Sequence, residues 1–153
     1  MWRLAFVAAV ALAGAACSSG GGSRETGDGP TDAAPVTQSV EVDGVTAEVT
    51  WLTAGDVGEV DADLSAYPPD GFVLLDVKLD THSGDLTSID FEREAALRQD
   101  GSKTRPEKWV SVSDDSHHRE GVLVFPRRLE DGPAELTIQM DDDELVLLWE
   151  ATP

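Results

Sequence analysis

Short apolar runs that alternate with polar residues dominate the chain from Val36 onward, and this pattern limits the fold more than any other feature. Phe72–Asp80 is the clearest example, since Val73, Leu75, Val77 and Leu79 share one face while Asp76, Lys78 and Asp80 point the other way. A period of two is typical of a β-strand with one buried face. The pattern therefore predicts an all-β domain.

Turn residues separate these runs at short intervals. Asp43-Gly44 and Asp100-Gly101 are pairs favoured in tight hairpins. Seven or eight short strands in one domain predict a single antiparallel β-sandwich at 36–153. A helical turn is expected near Asp90–Ala96, and Ala54–Gly71 predicts the largest surface excursion. The predicted strands are Val40–Val42, Val45–Trp51, Phe72–Asp80, Ala95–Gln99, Lys108–Val112, Gly121–Phe125, Ala134–Met140 and Glu144–Trp149.

The segment Met1–Ala16 has the organisation of a secretory signal peptide. Arg3 precedes the apolar run Leu4–Ala13, and the small residues Gly14–Ala16 end the segment. The apolar run is too short for a membrane-spanning helix, whereas it fits the central region of a signal peptide. The sequence therefore predicts export of the domain.

Cys17 follows this segment directly and is itself followed by a flexible Gly/Ser/Asp/Pro tether that ends at residue 35. A signal, a cysteine and a tether resemble the bacterial lipoprotein lipobox, although Gly14 stands where that motif usually has a large aliphatic residue. The resemblance implies lipidation of Cys17, with palmitate as a typical acyl group, and anchoring at the extracytoplasmic side of the cell membrane or on the cell surface. The alternative is an ordinary signal peptide with an incidental cysteine.

The charge of the chain excludes some classes of partner. There are 30 Asp and Glu residues against 11 Lys and Arg, and the net charge is −19. Such a surface repels nucleic acid and attracts cations or basic partners. Solubility alone is a sufficient explanation of the acidity. Because Cys17 is the single cysteine, an intramolecular disulfide cannot form and the domain must be stabilised by its core.

All three histidines fall at predicted strand ends. His82 follows the strand Phe72–Asp80, and His117-His118 precedes the strand Gly121–Phe125. Imidazoles near carboxylates suit copper or zinc, if the two segments meet. The alternative is that the histidines are polar loop residues. The candidate metal ligands are His82, His117, His118, Asp85, Asp114 and Asp115.

Motifs of enzymatic catalysis are absent from the sequence. It contains no G-x-S-x-G elbow and no Gly-rich phosphate loop, and an acylated Cys17 could not act as a nucleophile. We therefore expect the chain not to be an enzyme. Trp51, Trp109 and Trp149 lie in predicted strands, where core packing is the expected role of large aromatic side chains.

Across Val36–Glu150 the chain resembles immunoglobulin-like domains of bacterial cell-surface lipoproteins. More narrowly, the T-H-S-x-D-L motif at Thr81–Leu86, Trp109 and the segment His117–Phe125 look like a set found in little-characterised exported prokaryotic proteins. In those proteins the histidine pair usually follows glycine, whereas Ser116 precedes it here. The resemblance implies an immunoglobulin-like sandwich and names no reaction.

Together, these features predict a lipid-anchored extracytoplasmic binding module that uses copper or zinc through its strand-end histidines. The alternative is a metal-free interaction or scaffold domain of the cell envelope with a protein partner.

Overall fold

Two antiparallel β-sheets make up the part of the chain that the computed structural model describes, residues 36–127 and 132–150. The predicted all-β sandwich is confirmed, and these described residues form nine strands rather than the expected seven or eight. The predicted signal peptide, Cys17 and the tether lie outside the described residues. The strands are β1 Val36–Val42, β2 Val45–Trp51, β3 Phe72–Thr81, β4 Ala95–Gln99, β5 Ser102–Thr104, β6 Lys108–Asp114, β7 His118–Pro126, β8 Ala134–Met140 and β9 Asp143–Trp149, and a short helix α1 spans Phe91–Glu94.

The strand order places β3 and β7 at the centre of the larger sheet. That sheet has the order β1-β2-β3-β7-β6, and the smaller one has the order β5-β4-β8-β9. Asp80 pairs with His118 in the β3–β7 register, while Val45 pairs with Thr81 in the β2–β3 register. The end of β3, the start of β2 and the start of β7 therefore lie at the same end of the sandwich.

Both Asp-Gly pairs form the predicted hairpin turns. Asp43 and Gly44 join β1 to β2 with φ angles of 49° and 77°, and Asp100 and Gly101 join β4 to β5 with 47° and 78°. Glycine adopts positive φ without steric cost, and Asp tolerates it better than most residues. Asp141, the third residue other than glycine with a positive φ in the described part of the chain, has φ 41° in the turn between β8 and β9.

The main core lies between the two sheets and is built from alternate residues of their strands. Trp51 and Trp149 meet edge to face in this core, with ring centroids 5.6 Å apart. Both are buried, as expected from their positions in strands. Trp109 is half-buried and packs against the margin of this core rather than inside it.

A second apolar cluster lies on the outer face of the larger sheet, beneath the segment between β2 and β3. Leu52 and Leu64 of this segment pack against Leu74 of β3 and against Val122 and Val124 of β7. The segment was predicted as a surface excursion, and it forms a cover over one end of this sheet face. Because the segment is rich in Gly and Asp, the sequence did not indicate that its few apolar residues pack on the sheet.

Close approach of two strands explains the glycine in β7. A Cβ atom on Gly121 would lie 2.5 Å from the carbonyl oxygen of Val110 and 2.7 Å from Cζ2 of Trp109. The β6–β7 register shifts between Ser111 and Ser113 next to this contact. A glycine inside a strand is typical of such a close approach.

Among the described residues, no helix is long and apolar enough to span a membrane.

Candidate functional site

The two histidine-bearing segments meet at one end of the sandwich. The Thr81 N–H donates to the carbonyl of His117 at 3.0 Å, and the Leu86 N–H donates to the carbonyl of Ser116 at 2.9 Å. Residues 82–90, which we name the clamped loop, therefore lie along the turn between β6 and β7. The metal prediction required the two segments to meet, and their backbones do meet.

The guanidinium of Arg119 holds the clamped loop in place. Its Nη1 donates to the carbonyl oxygens of Leu86 and Ile89 at 2.9 and 2.7 Å. Its Nη2 and Nε both donate to Oδ1 of Asp114, at 2.8 and 3.1 Å. Arg119 is only 7% exposed. Hydrogen bonds from a charged donor are stronger than neutral ones, so this group ties the loop firmly to β6 and β7.

Two aromatic rings complete the surroundings of Arg119. The guanidinium carbon lies 4.7 Å from the ring centroid of Phe91 and 5.9 Å from that of Trp109. The two rings stack on each other with centroids 4.1 Å apart. Arginine favours such stacked positions because its planar, weakly hydrated cation retains its attraction to a ring face when buried.

The role of Arg119 was missed in the sequence, although strand parity contained the signal. Residues 119, 121, 123 and 125 of β7 share the inward face, and the last three are buried with Arg119. A charged residue at a core-facing position needs partners, and here they come from carbonyls, a carboxylate and two rings.

His118 lies on the opposite face of β7, between two carboxylates. Its Nδ1 is 2.6 Å from Oδ1 of Asp80, and its Nε2 is 3.5 Å from Oε2 of Glu120. The hydrogen bond to Asp80 raises the pKa of His118 above 6.5, with a further contribution from Glu120. Glu120 also forms an ion pair with Lys78, whose Nζ is 3.2 Å from Oε1. Asp80 and Glu120 were not among the predicted ligands, although both share the face of His118.

Among the other predicted ligands, two histidines are exposed and two carboxylates accept hydrogen bonds from residues close to them in the chain. His82 and His117 are exposed. Oδ1 of Asp85 accepts the N–H and the hydroxyl of Thr87 at 2.9 and 2.6 Å, and these bonds lower its pKa. Oδ1 of Asp115 accepts the N–H of His117 at 2.9 Å.

Asp114 accepts hydrogen bonds from Ser111 and Arg119 and, among the residues described, none from a histidine. Its Oδ2 accepts the Ser111 hydroxyl at 2.5 Å, and its Oδ1 faces Arg119. The Ser111 hydrogen bond, followed by that of Arg119, lowers the pKa of Asp114. Within residues 36–127 and 132–150, no three His, Cys, Asp or Glu side chains are grouped so as to hold a metal ion. The two segments therefore lie side by side, and the carboxylates of Asp85, Asp114 and Asp115 accept hydrogen bonds from groups other than histidine rings.

A cleft of about 220 Å³ opens beside the clamped loop. It is bounded by this loop, by the β1–β2 turn and by the β8–β9 turn. The hydroxyl of Thr81 lies 2.6 Å from the carbonyl of Ser83 and 3.2 Å from that of Gly44, which links the loop to the first turn. We name the clamped loop, the β1–β2 turn and the β8–β9 turn together the loop end.

The His118 ion pairs predict a measurable pH dependence. Because the folded pKa is raised, the stabilisation is fully present below the unfolded pKa of 6.5 and is lost as pH rises through the folded pKa. The side chain is 43% exposed, so solvent screening limits the effect to roughly 0.5 kcal/mol. We expect His118→Gln to lower the free energy of unfolding at pH 6 and to have a smaller effect at pH 9, as measured by urea denaturation.

Two variants serve as controls for this expectation. Asp80→Asn should lower the pKa of His118 in an NMR titration while the histidine itself remains. His82→Gln, at an exposed position, should lower the free energy of unfolding less than His118→Gln does at pH 6. A His118→Gln effect of equal size at both pH values would contradict the ion-pair explanation.

Comparisons with protein-family models, curated proteins and solved structures find no match to this chain.

Proposed function

We propose that the chain is a non-catalytic binding module, held outside the cell by a lipid on Cys17, whose contact surface is the loop end of the sandwich. The observation that carries this proposal is the attachment of the clamped loop, residues 82–90, to the buried side chain of Arg119. Surface loops are usually the most mobile parts of a domain, yet here a buried guanidinium fixes two loop carbonyls. A loop that is already ordered loses less conformational entropy when a partner binds.

The surroundings of His118 support a non-catalytic role. Its two ring nitrogens face the carboxylates of Asp80 and Glu120, so neither is directed at a hydroxyl or thiol that it could activate. The nearby Thr81 hydroxyl is engaged with backbone carbonyls. These groups therefore stabilise the ends of the strands. The loop end would act by non-covalent polar and apolar contacts with a partner.

Photo-crosslinking in the intact anchored protein tests this proposal. A benzophenone amino acid at Ser88, an exposed position of the clamped loop, should give a discrete crosslinked product on living cells. The same group at Asp61, exposed in the segment between β2 and β3, is the matched control and should give none. Cys17→Ser should abolish both palmitate incorporation and the crosslink.

Equal products from Ser88 and Asp61, or none from Ser88, would contradict the loop end as a contact surface. Membrane retention and unchanged labelling in Cys17→Ser would contradict the lipid anchor.

Binding of copper or zinc is the second candidate, favoured by the Asp80–His118 contact. Metal-binding histidines commonly donate their second ring N–H to a carboxylate, which orients the other nitrogen toward the metal. With Nδ1 on Asp80, Nε2 of His118 faces Glu120 and these two groups could supply ligands. The ammonium of Lys78 beside Glu120 opposes a bound cation.

Calorimetric titration of the full-length protein in detergent with Cu(II) and Zn(II) distinguishes the two candidates. A metal site predicts binding of one equivalent near pH 7, weaker binding at pH 5, and loss in both His118→Gln and Glu120→Gln. Loss in His82→Gln instead would restore the originally predicted pairing of loop histidines. Binding unchanged in all three variants would exclude a site built on these residues.

A further inference from the structure

We propose that the cleft at the loop end binds a lysine side chain of a basic peptide segment, with the aliphatic stem on its floor and the ammonium among its aspartates. This inference rests on the proposed function and names the chemistry of the partner. It is carried by the combination of an apolar floor and an acidic rim in one cleft. Neither feature alone would define a ligand.

The floor of the cleft is apolar and is held in place by the core. It is formed by Val45, Leu86, Ile89 and Met140. The last three are buried, with 4%, 8% and 9% of their surfaces exposed. Arg119 fixes the positions of two of them through the Leu86 and Ile89 carbonyls. The floor is therefore preformed, and the small apolar area that these residues leave open, together with Val45, can contact methylene groups.

The rim carries negative charge from each of the three segments around the cleft. Asp43 comes from the β1–β2 turn, Asp85 from the clamped loop, and Asp141 and Asp143 from the β8–β9 connection. All four are exposed. Among the described residues that line the cleft there is no Lys, Arg or His, although His117 and Arg119 outside the lining act electrostatically on Asp85. A ligand that complements this rim is cationic, and the net charge of −19 attracts such a ligand from a distance.

The size of the cleft suits a single side chain better than a drug-sized molecule. At about 220 Å³ it is smaller than the pockets that hold drug-sized molecules, which start at about 300 Å³. Long cationic side chains place their methylene stems on apolar surfaces and keep their charged ends in water. The arrangement of floor below and carboxylates above fits lysine in this respect, and the remainder of the peptide would lie across the rim.

Fluorescence anisotropy with a labelled Gly-Lys repeat peptide and the full-length protein in detergent tests the inference. A cleft variant with all four rim aspartates changed to Asn removes charge, and Asn retains the left-handed turn positions and the Thr87 hydrogen bond. We expect about tenfold weaker binding at roughly 0.15 M salt. The changes are Asp43→Asn, Asp85→Asn, Asp141→Asn and Asp143→Asn.

A control variant removes the same charge elsewhere on the surface. Its four positions are exposed and lie outside the cleft lining. This variant should bind the peptide almost as tightly as the parent protein does. The control changes are Glu59→Gln, Asp61→Asn, Asp70→Asn and Glu107→Gln.

A second peptide tests the floor. In it, 2,4-diaminobutyrate replaces lysine, which keeps the ammonium and shortens the stem by two methylenes. We expect the parent protein to bind it about fivefold more weakly at about pH 6, where both side chains are charged. Equal affinity for the two peptides would show that the floor makes no contact.

Three outcomes overturn the inference: equal losses in both quadruple variants, equal affinity for the two peptides, or no peptide binding. None of them bears on the crosslinking result at Ser88. A crosslink at Ser88 combined with any of these outcomes would retain the binding module and exclude only a lysine-bearing partner.

Discussion

Replacing Arg119 with Met is expected to lower the free energy of unfolding by about 3 kcal/mol. Methionine fills part of the space and removes the cation, so the carbonyls of Leu86 and Ile89 lose their donor and the Phe91 ring loses its contact with the guanidinium. Urea denaturation followed by tryptophan fluorescence measures the loss. Hydrogen exchange should also rise in residues 83–90, because the clamped loop loses its attachment.

Two further substitutions make this result specific. Arg119→Lys keeps the charge and loses the planar donor fork, so it should recover only a minor part of the stability. Arg98→Met removes an arginine whose ion pair with Glu135 is 3.8 Å long and largely exposed, and it should cost less than about 1 kcal/mol. Similar losses in the free energy of unfolding for Arg119→Met and Arg98→Met would show that the contacts of Arg119 with the clamped loop add no stability beyond that of an exposed ion pair.

Gly121→Ala is expected to destabilise the fold by roughly 3 kcal/mol, the upper end of the range for overpacked sites. The added methyl would lie 2.5 Å from the Val110 carbonyl oxygen, and this backbone atom cannot move without disturbing the β6–β7 ladder. The Trp109 ring, 2.7 Å away, would also have to leave its stack on Phe91. Thermal unfolding and the near-ultraviolet circular dichroism of the tryptophans report both changes.

Gly58→Ala is the matched control for this substitution. A methyl group at Gly58 would meet no atom within 4 Å, and the backbone there does not have a positive φ. Its effect should therefore lie within about 0.5 kcal/mol of zero. Equal stability of the two alanine variants would mean that Trp109 does not cross Gly121 as described.

The strands that could be predicted are those whose two faces differ in polarity. Val45–Trp51 and Ala134–Met140 have the predicted bounds, because their residues alternate in polarity. Ala95–Gln99 also has the predicted bounds, although three consecutive residues of it are buried, because the Asp100-Gly101 turn marks its end. β1 begins at Val36, before the predicted Val40, because Thr37, Gln38 and Ser39 obscure the pattern in an edge strand. Ser102–Thr104 has no apolar residue at all and is a strand only because it pairs with β4.

The contacts of the candidate site depend on how the strands pair, which a single sequence does not reveal. The contact between Asp80 and His118 follows from the β3–β7 register, which joins residues far apart in the chain. The prediction instead selected Asp85, Asp114 and Asp115, which are near the histidines in sequence. Their carboxylates bond to neighbouring residues, as Asp side chains in turns commonly do. Strand parity alone would have placed Arg119 inward and Glu120 beside His118.

Under the proposed anchoring through Cys17, the position of β1 has a mechanical consequence for the domain. Val36 begins an edge strand, bonded to β2 on one side and contacted on the other by Trp149, whose Nε1 donates to the Val36 carbonyl at 3.3 Å. A pull along this strand loads the whole β1–β2 ladder in shear, whereas a sideways pull separates its pairs one after another. The resistance of the domain to force, which is governed by its unfolding rate, should therefore depend on the direction from which a partner at the loop end pulls.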